Sequence, residues 1–243
     1  MFKIFRKLGS PHGYVIDQFS LGVSLFPKSG SSSLKYFLFE AEHGRKFERK
    51  WQHIHQWAAK NRIASLENCK YRLILIRDPI ERFISCYNNK VIQQRHLDYM
   101  DIGSLSLSDP KREFPFPSLD EFIDNFSEMR KLPVINHHTK PISEFLQRRN
   151  LSFFSEVFTF DQIDILAKRI NQIAATDVTL LHFQKSEKNQ WAKARKRGDL
   201  SQLSQSQIIY LMKLYSSEYH FLNPYYSKNE ILKKWEMTRE ASG

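Results

Sequence analysis

Two short apolar runs, Leu21–Phe26 and Tyr71–Ile76, predict strands that are buried on both faces. A proline follows each run, at Pro27 and Pro79, and proline suits the end of a strand or the first turn of a helix. Apolar residues at helical spacing come next in both places. Strand–loop–helix units that recur in this way predict an α/β fold, with a central parallel sheet, right-handed crossovers and flanking helices.

Capping signals and apolar spacing predict further elements. Helices are expected at Ser31–His43, from Ser118 to about Met129, at Ile142–Arg149, Asp161–Ala174 and Ile208–Tyr215, and a short strand at Val157–Phe160. Residues 1–20 are interpreted as an irregular lead-in, Gly103–Pro117 as a long loop and Asn136–Thr139 as a polar loop. A length of 243 residues allows one large domain or two small ones, and we expect a single domain over residues 1–243.

The stretch His53–Trp57 alternates polar and apolar residues, and it is compatible with two conformations. On a strand or an extended loop, His53 and His55 would face the same side. On a helix the two imidazoles would point in nearly opposite directions.

Charge narrows the class of partner. The 243 residues include 37 Lys and Arg against 26 Asp and Glu, so the net charge is +11. This balance favours a polyanionic partner, such as a nucleotide, a nucleic acid, an acidic glycan or an anionic membrane. A surface that is basic only for solubility is the alternative. No apolar run approaches the ~20 residues that a membrane-spanning helix needs.

The two cysteines, Cys69 and Cys86, both lie in apolar contexts. We interpret them as small core residues of a protein in a reducing compartment, which predicts a cytoplasmic location. A luminal domain without its membrane anchor would have the same composition. No Cys/His set has the spacing of zinc ligands, so no metal is predicted.

The residues between the first strand and its helix predict an anion-binding loop. They are Lys28, Ser29, Gly30, Ser31, Ser32 and Ser33. Backbone N–H groups and the positive end of a helix dipole meet at such a turn. Glycine lets the backbone approach a ligand, lysine adds a charge and the serines add hydrogen-bond donors. A serine-rich turn without a ligand is the alternative.

A Walker loop, G-x-x-x-x-G-K-[ST], fits this stretch poorly. Pro27 stands where the second glycine belongs, and the small residues follow Lys28 instead of preceding it. The observed order, an apolar strand and then P-K-[ST]-G-[ST]-[ST]-[ST], resembles the 5′-phosphosulfate loop of sulfotransferases that use 3′-phosphoadenosine 5′-phosphosulfate (PAPS).

The second strand is followed by a second motif, R-D-P-x-x-R-x-x-S-x-Y. Its residues are Arg77, Asp78, Pro79, Arg82, Ser85 and Tyr87. This segment resembles the 3′-phosphate motif of the carbohydrate sulfotransferases (Golgi-type sulfotransferase family 2). An arginine at a strand end can bind a phosphate through two N–H groups, and a serine two turns further along a helix can add a hydrogen bond.

The resemblance implies a P-loop-NTPase-like sulfotransferase fold, PAPS as the co-substrate, adenosine 3′,5′-bisphosphate as the product, and no metal. It places Lys28 and the loop from Ser29 to Ser33 on the 5′-phosphosulfate, with Lys28 also stabilising the departing oxygen. It places Arg77 and Ser85 on the 3′-phosphate. Later stretches match more loosely. In His182–Ser186, Lys185 and Ser186 would close over the nucleotide, and Tyr215–Tyr219 resembles a terminal Y-x-x-D-Y pattern with Glu218 in place of Asp.

Within that family the resemblance is nearest to the uronyl 2-O-sulfotransferases of heparan and dermatan sulfate. They carry an H-x-H pair before the 3′-phosphate strand, and this chain has His53-Ile54-His55 there. The resemblance implies that His55 is the general base and that His53 orients it or substitutes for it. His137 and His138 are interpreted as residues of the acceptor pocket, with the base as their alternative role.

Three functions are therefore weighed. The first is in-line transfer of a sulfuryl group to a hydroxyl of a carbohydrate or glycolipid acceptor. The second is a nucleotide kinase or NTPase in which Asp78 holds magnesium. The third is a non-catalytic polyanion binder, although the sequence lacks the aromatic and basic pattern of RNA-binding proteins, and no nucleic-acid partner is predicted.

Overall fold

A computed structural model describes residues 10–48, 53–147, 149–181 and 197–241. The chain forms two compact units, and each unit combines two separate stretches of sequence. We call Met1–Arg77 with Pro141–Gln184 the sheet unit, and Asp78–Lys140 with Lys185–Gly243 the helical unit. The single domain over residues 1–243 stays a prediction.

The sheet unit contains a five-stranded sheet in the order β3-β1-β2-β4-β5. Its strands are β1 His12–Ile16, β2 Leu21–Ser24, β3 Ile63–Ser65, β4 Tyr71–Ile76 and β5 Glu156–Thr159. The pairs β2–β4 and β4–β5 are parallel, while β1 is antiparallel to both β2 and β3. The predicted α/β fold is confirmed, and the sheet is mixed because a tight turn joins β1 to β2.

Strand β1 corrects the prediction that residues 1–20 are an irregular lead-in. Tyr14 and Ile16 are buried and belong to the core of the sheet unit. Gly13 fits the close approach of the neighbouring strand, since a Cβ atom there would lie 2.3 Å from the carbonyl oxygen of Val23. The apolar run Tyr14–Ile16 is short, and its strand depends on pairing with β2 and β3 rather than on a local pattern.

Along the chain, helices lie between these strands and continue after the last strand. In chain order they are α1 Ser31–His43, α2 Ile54–Asn61, α3 Pro79–Cys86, α4 Leu119–Asp124, α5 Phe126–Met129, α6 Pro133–Thr139, α7 Ile142–Phe145, α8 Ile163–Ala174, α9 Gln205–Leu214, α10 Ser216–Leu222 and α11 Lys228–Glu240. A π-helix, Tyr87–Gln93, continues α3. Short 3₁₀ turns lie at Asp17–Phe19, Leu151–Phe153, Phe160–Gln162 and Leu200–Gln202. Within the described ranges, no helix combines the length and apolarity that crossing a membrane requires.

Local signals located several helix boundaries. Helix α1 and strand β4 have the predicted bounds. Capping boxes are present at Ser118 and Ser204, with Glu121 and Gln207 as their partners. The first of these helices is interrupted at Asn125, which separates α4 from α5.

Two predictions in the middle of the chain are wrong. The expected polar loop Asn136–Thr139 is the last turn of α6, because Pro133 occupies the first turn and starts the helix there. The helix expected over Ile142–Arg149 ends at Phe145, and Gln147 has a positive φ of 49°.

A buried ion pair lies inside the helical unit. Arg82, on α3, and Glu218, on α10, are both fully buried, and Arg82 Nη2 lies 3.1 Å from each carboxylate oxygen. The same guanidinium donates to the carbonyl oxygens of His138 at 3.3 Å and Lys140 at 2.9 Å. Arg82 therefore connects α3, α6 and α10.

The Arg82–Glu218 pair generates a stability prediction. We expect Glu218→Gln to lower the free energy of unfolding by about 3 kcal/mol, because the substitution leaves a buried guanidinium without its counter-charge. Urea unfolding followed by circular dichroism measures the change.

The matched control is Glu128→Gln, which breaks the exposed pair of Glu128 with Lys131 in the same unit. We expect it to cost less than about 0.5 kcal/mol. Equal costs for the two variants would contradict a structural role for the buried pair.

Candidate functional site

The predicted anion-binding loop is a strained turn that follows β2. Lys28 has a φ of 66° and Gly30 a φ of 71°, so two residues of this short turn adopt left-handed backbone conformations. At Gly30 a Cβ atom would also lie 2.8 Å from Ile163 Cδ1. Glycine therefore suits position 30 both for its backbone conformation and for space, whereas Lys28 adopts a conformation that non-glycine residues rarely show.

Helix α1 begins at Ser31 directly after this turn. Its N-cap residue is Gly30, which has no side chain to cap the helix, and its first turn contains no acidic residue. The N–H groups of the first turn and the helix dipole therefore favour an anion at this end. The six residues Lys28–Ser33 of the sequence prediction form one continuous loop and helix start.

Ser29 is a buried polar residue in this loop. Ser29 is only 1% exposed, and its Oγ has no hydrogen-bond partner within the described part of the chain. Burial of an unsatisfied hydroxyl costs roughly 1–3 kcal/mol. A ligand with acceptor oxygens, such as a phosphate or sulfate group, would satisfy this hydroxyl.

Arg77 lies against the loop. It follows β4, and because β2 and β4 are parallel, their carboxyl ends meet at one edge of the sheet. Arg77 Nη1 donates to the carbonyl oxygen of Lys28 at 3.0 Å. The guanidinium carbon also lies 4.3 Å from the ring centroid of Phe160, the residue that follows β5. Two contacts thus orient the guanidinium beside the loop.

The histidine pair lies at the start of helix α2. His53 is the N-cap with an extended backbone, and its Nδ1 accepts from the backbone N–H of His55 at 3.3 Å. The two rings are stacked, with centroids 5.0 Å apart and an interplanar angle of 6°. The stretch is helical, yet the imidazoles lie together, because His53 stands outside the helix rather than within it.

His55 connects α2 to the loop and to α1. Its Nε2 lies 2.9 Å from Ser32 Oγ, and its Nδ1 lies 2.8 Å from Lys35 Nζ. Burial lowers the pKa of Lys35 to about 8. The structure therefore brings His55 together with the predicted loop, and it adds Lys35, which the sequence analysis missed. The signal was present, since Lys35 follows Ser32 by three residues and shares its face of α1.

The predicted residues of the helical unit are found on its helices. Ser85 lies on α3 and is half-buried. His137 and His138 lie on α6, with ring centroids 5.2 Å apart. Burial lowers the pKa of His137, and the positive charges of Lys140 and Lys90 lower it further. The functional roles of Ser85, His137 and His138 stay predictions.

Lys185 and Ser186 were expected to close over the nucleotide, and both lie outside the described residues. The described residues contain no group of three His, Cys, Asp or Glu side chains arranged to hold a metal ion. Cys69 and Cys86 are both buried and form no disulfide bond, as expected for small core residues.

Asp78 caps helix α3 instead of standing open to a metal. Its Oδ1 accepts from the N–H groups of Ile80 at 2.9 Å and Glu81 at 3.1 Å, and its Oδ2 accepts from the hydroxyl of Tyr219 at 2.9 Å. The residue is 4% exposed. Both carboxylate oxygens therefore bind donors of the helical unit, which disfavours the Walker-type role of Asp78 as a magnesium ligand.

Comparison with known proteins gave one match. A family model described as "Sulfotransferase family" matches residues 14–227, which is most of the chain. No curated protein and no solved structure matches the chain.

Asp78 generates a prediction about pH. Burial raises its pKa from 3.8 to about 6, although the hydrogen bonds that it accepts act in the opposite direction. A carboxyl group with a raised pKa in the folded state stabilises the fold at low pH and loses that contribution as pH rises through the folded pKa. We expect the wild type to lose roughly 3 kcal/mol relative to Asp78→Asn between about pH 4 and pH 7.

Asn is the suitable replacement because it is as good an N-cap as Asp. Urea unfolding at a series of pH values measures the difference between the two proteins. In Tyr219→Phe, which removes one hydrogen bond to the carboxylate, the loss of stability is expected to extend to higher pH. A wild-type to Asp78→Asn difference that is constant over the range would contradict the assignment.

Proposed function

The chain belongs to the sulfotransferase family, and from that membership we propose that it transfers a sulfuryl group from PAPS to a hydroxyl of a carbohydrate acceptor. The observation that carries this proposal is the convergence of Arg77 and His55 on the loop Lys28–Ser33. Arg77 contacts the carbonyl of Lys28, and His55 contacts the hydroxyl of Ser32. Arg77, a cation proposed to bind the sulfuryl donor, and His55, the proposed base for the acceptor hydroxyl, thus lie at the same loop.

PAPS fits the positive charges and the hydrogen-bond donors that the loop offers. PAPS carries a 5′-phosphosulfate and a 3′-phosphate. We assign the 5′-phosphosulfate to the first-turn N–H groups of α1, to the serine hydroxyls and to Lys28, and the 3′-phosphate to Arg77. The buried hydroxyl of Ser29 supports this assignment, because an acceptor oxygen of the donor would give it the partner that the described residues do not supply.

The chemistry needs little beyond positioning and charge. In an in-line displacement, the acceptor oxygen attacks sulfur while the phosphate oxygen on the opposite side takes the bonding electrons. Lys28 and the loop N–H groups would stabilise the negative charge that develops on the departing phosphate. His55 would accept the proton of the attacking hydroxyl, and its contact with Ser32 holds the imidazole beside the transferring group. His53 would orient His55 through their stacked rings.

We infer that the acceptor is anionic. His137, Lys140 and Lys90 lie close enough in the helical unit for the two lysine charges to lower the pKa of His137. A uronate or sulfated sugar would neutralise such a cluster, in line with the uronyl 2-O-sulfotransferase resemblance and with the net charge of +11. His137 and His138 are the residues we propose for the acceptor pocket, and Ser85 and Lys185 with Ser186 remain proposed donor contacts. The cytoplasmic location also stays a prediction.

The decisive experiment is incubation of the full chain with ³⁵S-labelled PAPS and a panel of uronate polysaccharides, neutral polysaccharides and glycolipids. We expect labelled product with at least one uronate polysaccharide, and no product with Lys28→Met, which keeps side-chain bulk and removes the charge. Lys60→Met, at an exposed position on α2, is the matched control and should retain wild-type activity. Equal activity of wild type and Lys28→Met would exclude the loop as the donor site.

His55 and Arg77 should affect different kinetic constants. We expect His55→Ala to lower kcat by about 10²–10⁴-fold, the usual contribution of a general base, with little change in the affinity for adenosine 3′,5′-bisphosphate. We expect Arg77→Ala to weaken binding of that nucleotide and to raise the KM for PAPS, because it removes a charged hydrogen bond to phosphate.

Steady-state kinetics gives kcat and KM, and calorimetric titration with adenosine 3′,5′-bisphosphate gives affinity. Turnover that is unchanged in His55→Ala would remove His55 from the mechanism. Unchanged nucleotide affinity in Arg77→Ala would remove Arg77 from the donor site.

A further inference from the structure

The contact between His55 and Lys35 has a consequence for proton transfer. This consequence rests on the proposed function, in which His55 is the general base. His55 uses both ring nitrogens: Nδ1 lies 2.8 Å from Lys35 Nζ, and Nε2 lies 2.9 Å from Ser32 Oγ. Only Nε2 faces the loop to which we assign the transferring group. His55 can therefore act as a base there only when Nε2 carries no proton.

The protonation state of Lys35 decides which nitrogen carries the proton. An ammonium group has donors and no acceptor, so a charged Lys35 must donate to Nδ1. The single proton of the neutral imidazole then lies on Nε2 and points to Ser32 Oγ. A neutral amine has a lone pair and can accept from Nδ1–H, which leaves Nε2 without a proton and able to accept one. The Ser32 hydroxyl suits both states, because it can accept or donate.

We propose that Lys35 is a positioning residue that controls the tautomer of His55, so that the enzyme is competent for proton transfer only when the Lys35 amine is neutral. In that state the hydroxyl proton of the acceptor passes to Nε2 as its oxygen forms the bond to sulfur. The sulfur–oxygen bond to the phosphate breaks, and adenosine 3′,5′-bisphosphate leaves with the bonding electrons. The positive charge gained by the imidazole is shared with Lys35 through the Nδ1–H bond.

The surroundings of the pair allow this control. Burial is the cause of the lowered pKa of Lys35, so the amine can lose its proton near pH 8. His53, the N-cap residue of α2, is a titratable group that is stacked on His55. Helix α8 contributes Leu166, Ala167 and Ile170 to the apolar cluster that also contains Leu34, Phe37 and Leu38 of α1.

Two further ionisable groups, Tyr14 of β1 and Arg62 at the end of α2, contact α1 further along that helix. Tyr14 of β1 donates to Glu42 at 3.0 Å, and Arg62, which follows α2, forms an ion pair with the same carboxylate. Glu42 follows Lys35 by seven residues, which is about two helical turns or roughly 10 Å. Arg62 neutralises the charge of Glu42, so Glu42 stabilises the ammonium form of Lys35 only weakly.

The test has a structural readout that needs no activity. In ¹⁵N-labelled protein, long-range ¹H–¹⁵N spectra of the imidazole distinguish the two tautomers. For the wild type we expect His55 to change from the Nε2–H to the Nδ1–H form as pH rises through about 8. In Lys35→Met, which cannot titrate, this transition near pH 8 should be absent. Lys60→Met, exposed on α2, is the control and should behave as the wild type.

Kinetics provides the second readout. We expect kcat of the wild type to rise about tenfold between pH 7 and pH 9, as the neutral fraction of a group with a pKa near 8 rises. In Lys35→Met the titrating amine is absent, so this tenfold rise should be lost and kcat should change less than about twofold over the same range. Lys35→Arg, which stays charged, should hold the Nε2–H form and low activity across that range.

The outcomes separate the two proposals. A wild-type tautomer that does not change near pH 8, or a Lys35→Met variant that keeps the wild-type transition, overturns the role of Lys35 whatever the activity. Absence of any sulfuryl transfer, together with the expected tautomer change, overturns the proposed function and leaves the control of His55 by Lys35 intact. If Lys35→Arg does not fold, the spectra of the wild type and Lys35→Met still decide.

Discussion

The parallel pairing of β2, β4 and β5 is the constraint on which the candidate site depends. Ser24 is in register with Ile74, and Ile76 with Thr159, so the three strands end at one edge of the sheet. The segments that follow them supply the predicted anion-binding loop, Arg77 and Phe160. Because these residues are far apart in sequence, only the strand register brings a lysine carbonyl, a guanidinium and an aromatic ring into contact.

The loop keeps an unfavourable backbone because its neighbours hold it. Left-handed conformations at non-glycine positions cost of order 1–3 kcal/mol, and Lys28 adopts one. The carbonyl of the same residue accepts a charge-assisted hydrogen bond from Arg77, whose guanidinium lies over Phe160. The turn and the arginine therefore hold each other in place. A loop shaped before its ligand arrives does not have to be ordered on binding, which is the basis of electrostatic preorganisation.

Sequence predicted the parts of the site that depend on local patterns. The strand–turn–helix at Lys28 and the arginine after β4 follow from short apolar runs, proline positions and helical spacing, and the structure confirms where these elements lie. The sequence alone could not predict that Lys35 contacts His55, because that contact requires α1 and α2 to pack side by side. The stacked histidines were also ambiguous, since an N-cap residue breaks the helical geometry that the alternation argument assumes.

The motif that starts at Arg77 contributes both to the candidate site and to the packing of the helical unit. A match to this motif therefore does not assign all of its residues to ligand binding. Arg77 belongs to the sheet unit and contacts the loop, whereas Asp78 and Arg82 are buried in the helical unit and bind Tyr219 and Glu218 there. The terminal segment has Glu218 where the resemblance leads one to expect Asp, and both of its carboxylate oxygens reach the guanidinium of Arg82. This departure therefore concerns the packing of α3 against α10. Since the loop and Arg77 lie outside that network, the departure does not weaken their assignment to the donor.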